Sequence, residues 1–226
     1  MKKFLLPVLL ACIAFSGYPQ SKETRNLSHF TGISVGSAVE VILKQGSEEK
    51  AQVEVTGTDA DNVITEISGS ELKVHMRSGN YHHVDATVYV TYRELESISV
   101  SSAAKLTADE PVKADKMEID VSSAGKGEVN LDVNDLTIDI SSAGNLTTKG
   151  RAAKQDIRVS SAGGYDGEDL QSDDAEIRVS SAGNAKISVN KSLDAEASSG
   201  GSIRYKGNPG KEYTSENSGG NVRKLD

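Results

Sequence analysis

The chain has 226 residues, 4% of them aromatic and none tryptophan, and its formal net charge is −8. Such an acidic chain is poorly suited to bind nucleic acid or an anionic lipid surface. The shortage of aromatic residues excludes a globular core built on large side chains and favours a thin aliphatic core, as in stacked β-coils.

Residues 1–20 have the pattern of a secretory signal peptide. Met1-Lys2-Lys3 is basic, an apolar run follows from Phe4 to Phe15, and small or polar residues come next. The run is too short to span a bilayer, and no later stretch approaches the length that a span requires. The sequence predicts cleavage after Ser16 or near Gln20, and export to the periplasm, the outer-membrane surface or the medium.

Cys12 is the only cysteine, so the exported chain has no pair of cysteines to form a disulfide. Leu9-Leu10-Ala11-Cys12 loosely matches a lipoprotein box, whose cysteine would be acylated. The apolar segment continues to Phe15, which favours ordinary cleavage and leaves a lipid anchor as the alternative. Residues 1–20 contain two lysines and no acidic residue, so removing them changes the net charge from −8 to −10.

A short string of small residues, Val/Ile-Ser-Ser-Ala-Gly in its best copies, recurs along the rest of the chain. The copies begin at Val100, Val121, Ile140, Val159 and Val179, and two decayed copies begin at Ala197 and Glu216. A period this regular predicts one coil per repeat. The predicted fold is all-β, a single-stranded parallel β-helix (solenoid) with coils of roughly 19–21 residues.

Each copy ends a segment in which apolar and polar residues alternate, as in a half-buried strand. The predicted inward pairs are Ile98 and Val100, Ile119 and Val121, Ile138 and Ile140, Ile157 and Val159, and Ile177 and Val179. A second apolar position recurs after the string, at Leu106, Val129, Leu146, Tyr165, Ile187, Ile203 and Val222. Each coil therefore has at least two inward faces, and no segment has helical periodicity.

The Ser-Ser-Ala-Gly strings are interpreted as tight corners. Successive coils lie about 4.8 Å apart, so equivalent residues form columns along the axis. We expect glycine to supply a positive φ and serine hydroxyls to bridge to neighbouring backbone groups or to the serine above. This structural role is preferred to a binding motif.

The predicted outward positions are mostly charged. They are Ser99, Asp120, Asp139, Arg158, Arg178 and Glu196, with Glu118, Asp156, Glu176 and Asp194 before them. A solvated face protected by charge from edge-to-edge aggregation is the preferred interpretation, and a recognition face is the alternative.

The two ends of the predicted stack differ from its middle. Towards the C-terminus the inward positions become Ala195 and Ala197, then Thr214 and Glu216, which is typical of an end cap. Residues 21–94 have strand patterns without the repeat, and we predict a β-subdomain of hairpins that packs on the first coil. The solenoid is assigned to residues 95–226.

Four segments occur together with these corners. They are Phe30-Thr31-Gly32-Ile33-Ser34-Val35, Ala38-Val39-Glu40-Val41, Leu72-Lys73-Val74 and Leu95-Glu96-Ser97-Ile98-Ser99-Val100. The combination resembles the bacterial family labelled "putative autotransporter adhesin, head GIN domain" over roughly Phe30 to Val222. The resemblance implies an all-β exported protein of Gram-negative bacteria. It brings no catalytic, cofactor or metal residue, because no motif of that family marks one.

Two segments match the Ser-x-x-Lys pattern of serine acyl-transfer enzymes, Ser102 to Lys105 and Ser123 to Lys126. That motif works at the start of a helix with further partners. Both matches fall on predicted corners, and we interpret them as accidents of the repeat.

His82 and His83, with His75 and Asp85 nearby, are candidate metal ligands. Adjacent residues of an extended strand point to opposite faces, so His82 and His83 would not readily share one ion. A polar hairpin loop over residues 79–85 is the preferred interpretation.

The densest acidic cluster is Asp166-Gly167-Glu168-Asp169, followed by Asp173-Asp174. Calcium requires several converging oxygen ligands. The segment matches neither the EF-hand register nor the Gly-Gly-x-Gly-x-Asp repeat of calcium-binding β-rolls. A solvated turn is preferred, with calcium binding as the alternative.

The sequence favours a non-enzymatic envelope or surface protein that presents a β face to a glycan or a protein. One alternative is a polysaccharide-cleaving enzyme, although enzymes on such scaffolds build clefts from long loops and these coils vary little in length. The other is a purely structural periplasmic module that associates weakly end to end. No catalytic residue, metal ligand or cofactor is assigned.

Overall fold

A computed structural model describes residues 21–225, so the predicted signal peptide and Cys12 lie outside the described residues. One sheet contains sixteen strands. They are β1 Ser21–Asn26, β2 Gly32–Val35, β3 Glu40–Gln45, β4 Lys50–Thr56, β5 Val63–Ser68, β6 Glu71–Met76, β7 Asp85–Tyr92, β8 Ser97–Val100, β9 Lys105–Val121, β10 Lys126–Ile140, β11 Asn145–Val159, β12 Gly164–Val179, β13 Asn184–Ala197, β14 Ser202–Lys206, β15 Lys211–Glu216 and β16 Asn221–Lys224.

The long strands β9 to β13 stack in sequence order, and each pairs in parallel with the next. The last long strand, β13, pairs with β14 through its first part and with β15 through its last part, so one coil has two faces. We call the part of a coil that follows a corner the post-corner face, and the part that leads to the next corner the pre-corner face; in β10 these are residues 126–133 and 135–140. The predicted β-solenoid is confirmed, with about 7 turns of roughly 19 residues.

Helix is limited in residues 21–225 to a short 3₁₀ turn, Ala60–Asn62. Among these residues no helix is long and apolar enough to cross a membrane.

The predicted inward and outward parity on the pre-corner face agrees with the structure. All ten predicted inward residues are buried, and Ile98, Ile119, Ile138, Ile157 and Ile177 lie in one register column. Their outward neighbours are exposed or half-buried. The core is therefore a thin aliphatic layer, as the composition predicts.

The second set of apolar positions needs one correction. The register column on the post-corner face is Leu106, Gly127, Leu146, Tyr165, Ala185, Ile203 and Val222. Val129 and Ile187 belong to the next inward column, two residues further along. Gly127 has no apolar side chain in this column because the neighbouring leucine fills the space. A Cβ at Gly127 would lie 2.7 Å from Leu146 Cδ1.

The corners are tight turns, but the positive φ angles are not where the sequence analysis expects them. The second serine and the alanine have positive φ, as at Ser123 (49°) and Ala124 (61°), and the following Gly125 does not. Two successive positive φ angles define a type I′ turn. Glycine is present at Gly125 for a different reason: its Cβ would lie 2.5 Å from the carbonyl oxygen of Val100 in the preceding coil.

Backbone hydrogen bonds join each corner to the corners on both sides. Ser122 N donates to Val100 O in the preceding coil (3.0 Å), and Ala124 N donates to Ser142 O in the following coil (3.0 Å). Gly125 N closes the turn on Ser122 O (2.8 Å). In the described part of the chain these coil-to-coil bonds use backbone groups, where serine hydroxyl bridges were expected.

Residues 21–94 include a coil of the stack. Strand β2 pairs in parallel with β8, and β3 pairs in parallel with β9. The turn between β2 and β3 has the same positive φ pair, at Ser37 and Ala38, and Ala38 N donates to Ser102 O. Strands β6 and β7 add a further layer, and β1, β4 and β5 close this end by antiparallel pairing. Strands before residue 94 are thus hydrogen-bonded to strands after residue 95 in one sheet. A domain division at that point stays a prediction.

The C-terminal end of the stack carries charge at inward register positions. Tyr205 donates to Glu212 Oε1 (2.5 Å), and Val222 N donates to Glu216 Oε1 (2.6 Å). Burial and the Glu212 carboxylate raise the pKa of Tyr205 to about 12. Inward-pointing charge at an open sheet edge opposes pairing with another chain.

The assignment of inward and outward side chains predicts how strongly three alanine substitutions should destabilise the protein. Ile140 is 2% exposed between two coils, and its truncation to Ala should cost about 2–5 kcal/mol of unfolding free energy. Asp139→Ala should stay within about 0.5 kcal/mol, as is usual for a solvent-facing side chain. Thr214→Ala, in the exposed last coil, should be similarly mild. Urea denaturation of the three variants measures the ordering, and equal losses for Asp139→Ala and Ile140→Ala would show that the parity is wrong.

Candidate binding surface

The post-corner face carries a groove of about 330 Å³. Its lining comes from four successive coils, at Asn145, Leu146, Thr147, Gly164, Tyr165, Asp166, Asn184, Ala185, Lys186, Ser202 and Arg204. Since equivalent residues are in register, the groove runs along the stack and not along one strand.

The pre-corner face carries a longer groove, of about 570 Å³, and it is acidic. Five coils line it, through Lys116, Asp135, Leu136, Thr137, Lys154, Gln155, Asp156, Asp174, Ala175, Glu176, Ser192 and Asp194. Arginines in the neighbouring outward column offset part of this charge. Arg158 pairs with Asp156 (3.1 Å), and Arg178 pairs with Glu176 (2.5 Å).

Asp120 lies beyond those arginines in the same outward column. Partial burial raises the pKa of its carboxyl group, and the charges of Glu118 and Asp139 raise it further. Like charges in register destabilise a sheet. The acidic face therefore carries an electrostatic cost at this position.

A third groove, of about 480 Å³, lies where the column of regular corners meets the loop between β6 and β7. Ser37, Ala38, Met76, Arg77, Ser78, Gly79, Tyr81, His83, Val84 and Ala86 line it. A loop at a break in a regular scaffold is a common place for binding residues. The hairpin predicted over residues 79–85 is wrong, because β6 pairs with β2 and β5 while β7 pairs with β3 and β4, so this loop joins two strands that do not pair. The groove was not predicted because it depends on the corner at Ser37 and Ala38, which is distant in sequence.

The histidines of this region do not assemble a site. His83 lines the loop groove, His82 is exposed, and His75 Nδ1 lies 2.9 Å from Met76 O on β6. Within residues 21–225, no group of three or more His, Cys, Asp and Glu side chains is placed to hold a metal ion.

The Ser-x-x-Lys matches fall on corners, as the sequence analysis predicts. Ser102 and Ser123 have positive φ and face solvent. Lys105 lies 3.2 Å from Glu40, and this carboxylate raises the pKa of the lysine. The Glu40 contact favours the protonated form of Lys105 over the neutral form that a general base requires.

Lysines neutralise much of the acidic cluster at residues 166–174. Lys186 lies 3.1 Å from Asp166 and Lys206 contacts Glu168, while Lys191 lies 3.0 Å from Asp173. The two lysines beside Glu168, Lys206 above all, hold the pKa of that carboxyl below its usual range. The predicted solvated turn is corrected, because residues 166–174 lie within strand β12, whose pairing with β13 is irregular after Gly167. Three of its acidic side chains, Asp166, Glu168 and Asp173, are ion-paired.

A buried polar cluster crosses the core between the post-corner and pre-corner faces. Tyr165 Oη lies 2.9 Å from Thr148 Oγ1 and donates to Gln155 Oε1 at 3.2 Å. Gly167 leaves room for the tyrosine ring. Tyr165 is inward as predicted, but its partners were not predicted, because Gln155 occupies a column that is apolar on both sides of it, at Met117, Leu136, Ala175 and Leu193.

Fold and surfaces together define a β-solenoid protein whose grooves lie on the outside of its coils. The chain belongs to the family described as "Putative auto-transporter adhesin, head GIN domain", whose model matches residues 29–209. The resemblance stated from the sequence is therefore confirmed. No match to a curated protein was found.

Several solved structures share the fold. One described as a putative adhesin from Bacteroides fragilis has a TM-score of 0.83 at 16% identity, covering 92% of this chain and 97% of its own. Another from Parabacteroides distasonis, also described as a putative adhesin, has a TM-score of 0.75 at 20% identity, with 92% and 98% covered. A third, from the same species and described as a putative lipid binding protein, has a TM-score of 0.69 at 21% identity, with 91% and 97% covered.

The charge on the pre-corner face predicts a pH-dependent gain of stability in Asp120→Asn. A raised pKa in the folded state means that ionised Asp120 opposes folding above that pKa, while below the ordinary pKa of an aspartate the carboxyl is protonated in both states and the penalty disappears. The variant should therefore have a higher urea midpoint than the parent at pH 7, and the difference should shrink to zero as the pH falls through about 4. Asp132→Asn, on the exposed post-corner face, is the control. A gain that grows on acidification would contradict this account.

Proposed function

We propose that the protein is an exported, non-enzymatic, adhesin-like module that binds an extended glycan at the bacterial envelope or cell surface. The observation that carries this proposal is the course of the grooves, which cross four and five successive coils. A ligand that meets equivalent positions on successive coils must itself be extended along the stack. Membership of the adhesin family supports the same class of function, and the pattern of residues 1–20 supports export.

The contacts of the charged side chains favour binding over polysaccharide cleavage. Glycoside hydrolysis requires two carboxyl groups on either side of the scissile bond, one of them with a raised pKa. The acids of the pre-corner groove lie in parallel columns on an open face, and Asp156 and Glu176 are engaged by arginines. Regular coils supply no long loop there to build a cleft.

The purely structural alternative has less support. End-to-end stacking needs an open edge that accepts another strand, and the inward Glu212 and Glu216 oppose such pairing at the C-terminal end. A lipid is an alternative ligand, since one structural relative is described as a putative lipid binding protein, and the vesicle measurement described below tests it.

The proposal predicts that affinity depends on ligand length. Five coils at about 4.8 Å span about 19 Å, so affinity for oligosaccharides of one series should rise with length until that span is filled and then level off. Calorimetric titration of residues 21–226 with a size-graded series, chosen from a glycan array, measures this. Reducing ends are assayed in the same samples as a control for cleavage. New reducing ends, or binding that is complete with a monosaccharide, would contradict the proposal.

A further inference from the structure

Two adjacent arginines on the post-corner face, Arg204 and Arg223, stand at the end of a column of charged residues. Asp166, Lys186, Arg204 and Arg223 are register neighbours on successive coils. Lys186 pairs with Asp166 at 3.1 Å. Arg204 and Arg223 are exposed, and in residues 21–225 neither has a carboxylate partner within 4.0 Å.

These two arginines differ from the other pair of arginines in register. Like charges directly opposite each other on a sheet cost stability. The two arginines in register on the pre-corner face, Arg158 and Arg178, are each held by acids on both flanks. A pair of adjacent guanidinium groups without acids has the donors to bind an anion in a bidentate manner.

Beside the cations runs a column of amide and hydroxyl side chains. Asn145, Gly164, Asn184, Ser202 and Asn221 are register neighbours. Asn145 Nδ2 donates to Ala143 O (2.9 Å) and Asn184 Nδ2 donates to Ala182 O (3.2 Å), which leaves each Oδ1 as an acceptor.

Gly164 keeps the column open next to Asn145. A Cβ at Gly164 would lie 2.6 Å from Asn145 Oδ1. The φ of Gly164 is not positive, so its backbone does not require glycine. The missing side chain thus leaves an acceptor oxygen uncovered within the groove.

We propose that these two columns bind an acidic polysaccharide that lies along the stack. The arginine–amide strip comprises Lys186, Arg204 and Arg223 with Asn145, Asn184 and Ser202. Its guanidinium groups would bind the carboxylates of the polymer, and its Oδ1 acceptors would receive hydrogen bonds from the sugar hydroxyls. The proposal rests on the proposed function and specifies its ligand class. Phosphate groups alone would leave the Oδ1 acceptors without donors, which favours a hydroxylated polyanion.

The test measures binding of residues 21–226 to immobilised polygalacturonate by biolayer interferometry in low salt. Arg204→Gln/Arg223→Gln should weaken binding about tenfold or more, because charge-assisted hydrogen bonds are lost. The matched control is Arg158→Gln/Arg178→Gln, which makes the same change of net charge on the opposite face and should stay within about twofold. Wild-type binding should also fall as salt is raised, since the contacts are exposed.

Two further variants, which keep the net charge of the protein, distinguish binding by the arginine–amide strip from attraction by overall charge. Gly164→Ala leaves the charge unchanged and should weaken binding by covering the acceptor of Asn145. Arg204→Lys/Arg223→Lys keeps the charge but loses the bidentate geometry, so its affinity should fall between those of the parent and the glutamine variant. Urea denaturation of every variant establishes that it is folded.

The outcomes distinguish this inference from the proposed function. Binding to neutral dextran but not to polygalacturonate would overturn the arginine–amide strip and leave the extended-glycan function standing. Equal losses in the two glutamine variants would assign binding to overall charge and would also overturn it. Tighter binding to vesicles of phosphatidylglycerol than to polygalacturonate would contradict both proposals, because the anion would then belong to a lipid.

Discussion

Close approach of one coil to the next at the corners is the constraint on which this structure depends. At Gly125, Gly144 and Gly201 an added Cβ would fall on a backbone carbonyl of the preceding coil. The two residues before each of these glycines take positive φ so that the chain can turn within two residues. Non-glycine residues in that conformation are strained by about 1–3 kcal/mol each. The coil-to-coil backbone hydrogen bonds on both sides of each corner offset this strain.

Regular corners keep the strand segments beside them in register, although the pairing shifts further along several coils, and the register determines the surface. Columns of identical position let Ile, Val and Leu form a thin continuous core, while outward columns place like or opposite charges about 4.8 Å apart. Where opposite charges meet, as at Arg158 and Arg178, the face is compensated. Where like charges meet, as at Arg204 and Arg223, their repulsion destabilises the sheet, and an anionic ligand would reduce that repulsion. The same repeat that stabilises the fold therefore creates the candidate binding surface.

Much of the architecture is readable from the sequence because the repeat is a local signal. The strings at Val121, Ile140 and Val159 fix the coil length, and alternation fixes which side chains face inward. The φ angles at the corner are not readable in this way, since glycine suits both a positive φ and a close contact, and only the path of the preceding coil decides between them. The coil formed by β2 and β3 was missed for a related reason. Its Gly36-Ser37-Ala38-Val39 turn lacks the Ser-Ser-Ala-Gly string, and its neighbours in the stack are distant in sequence.

The candidate site was less predictable than the fold. Arg204 and Arg223 are 19 positions apart in the chain, and their adjacency follows only from the pairing of β14 with β16. The loop groove likewise joins residues near Ser37 to residues near Tyr81.

The most direct test of the central claim compares two neighbouring corner substitutions by urea denaturation. Gly144→Ala places a Cβ against the carbonyl oxygen of Val121, whereas Ala143→Gly relieves a positive φ of 60°. We expect Gly144→Ala to destabilise the protein by more than about 1 kcal/mol, as overpacking does, and Ala143→Gly to change stability by less than that. If Gly144→Ala were tolerated and Ala143→Gly were the damaging change, close approach at the corner would not be what sets the stack.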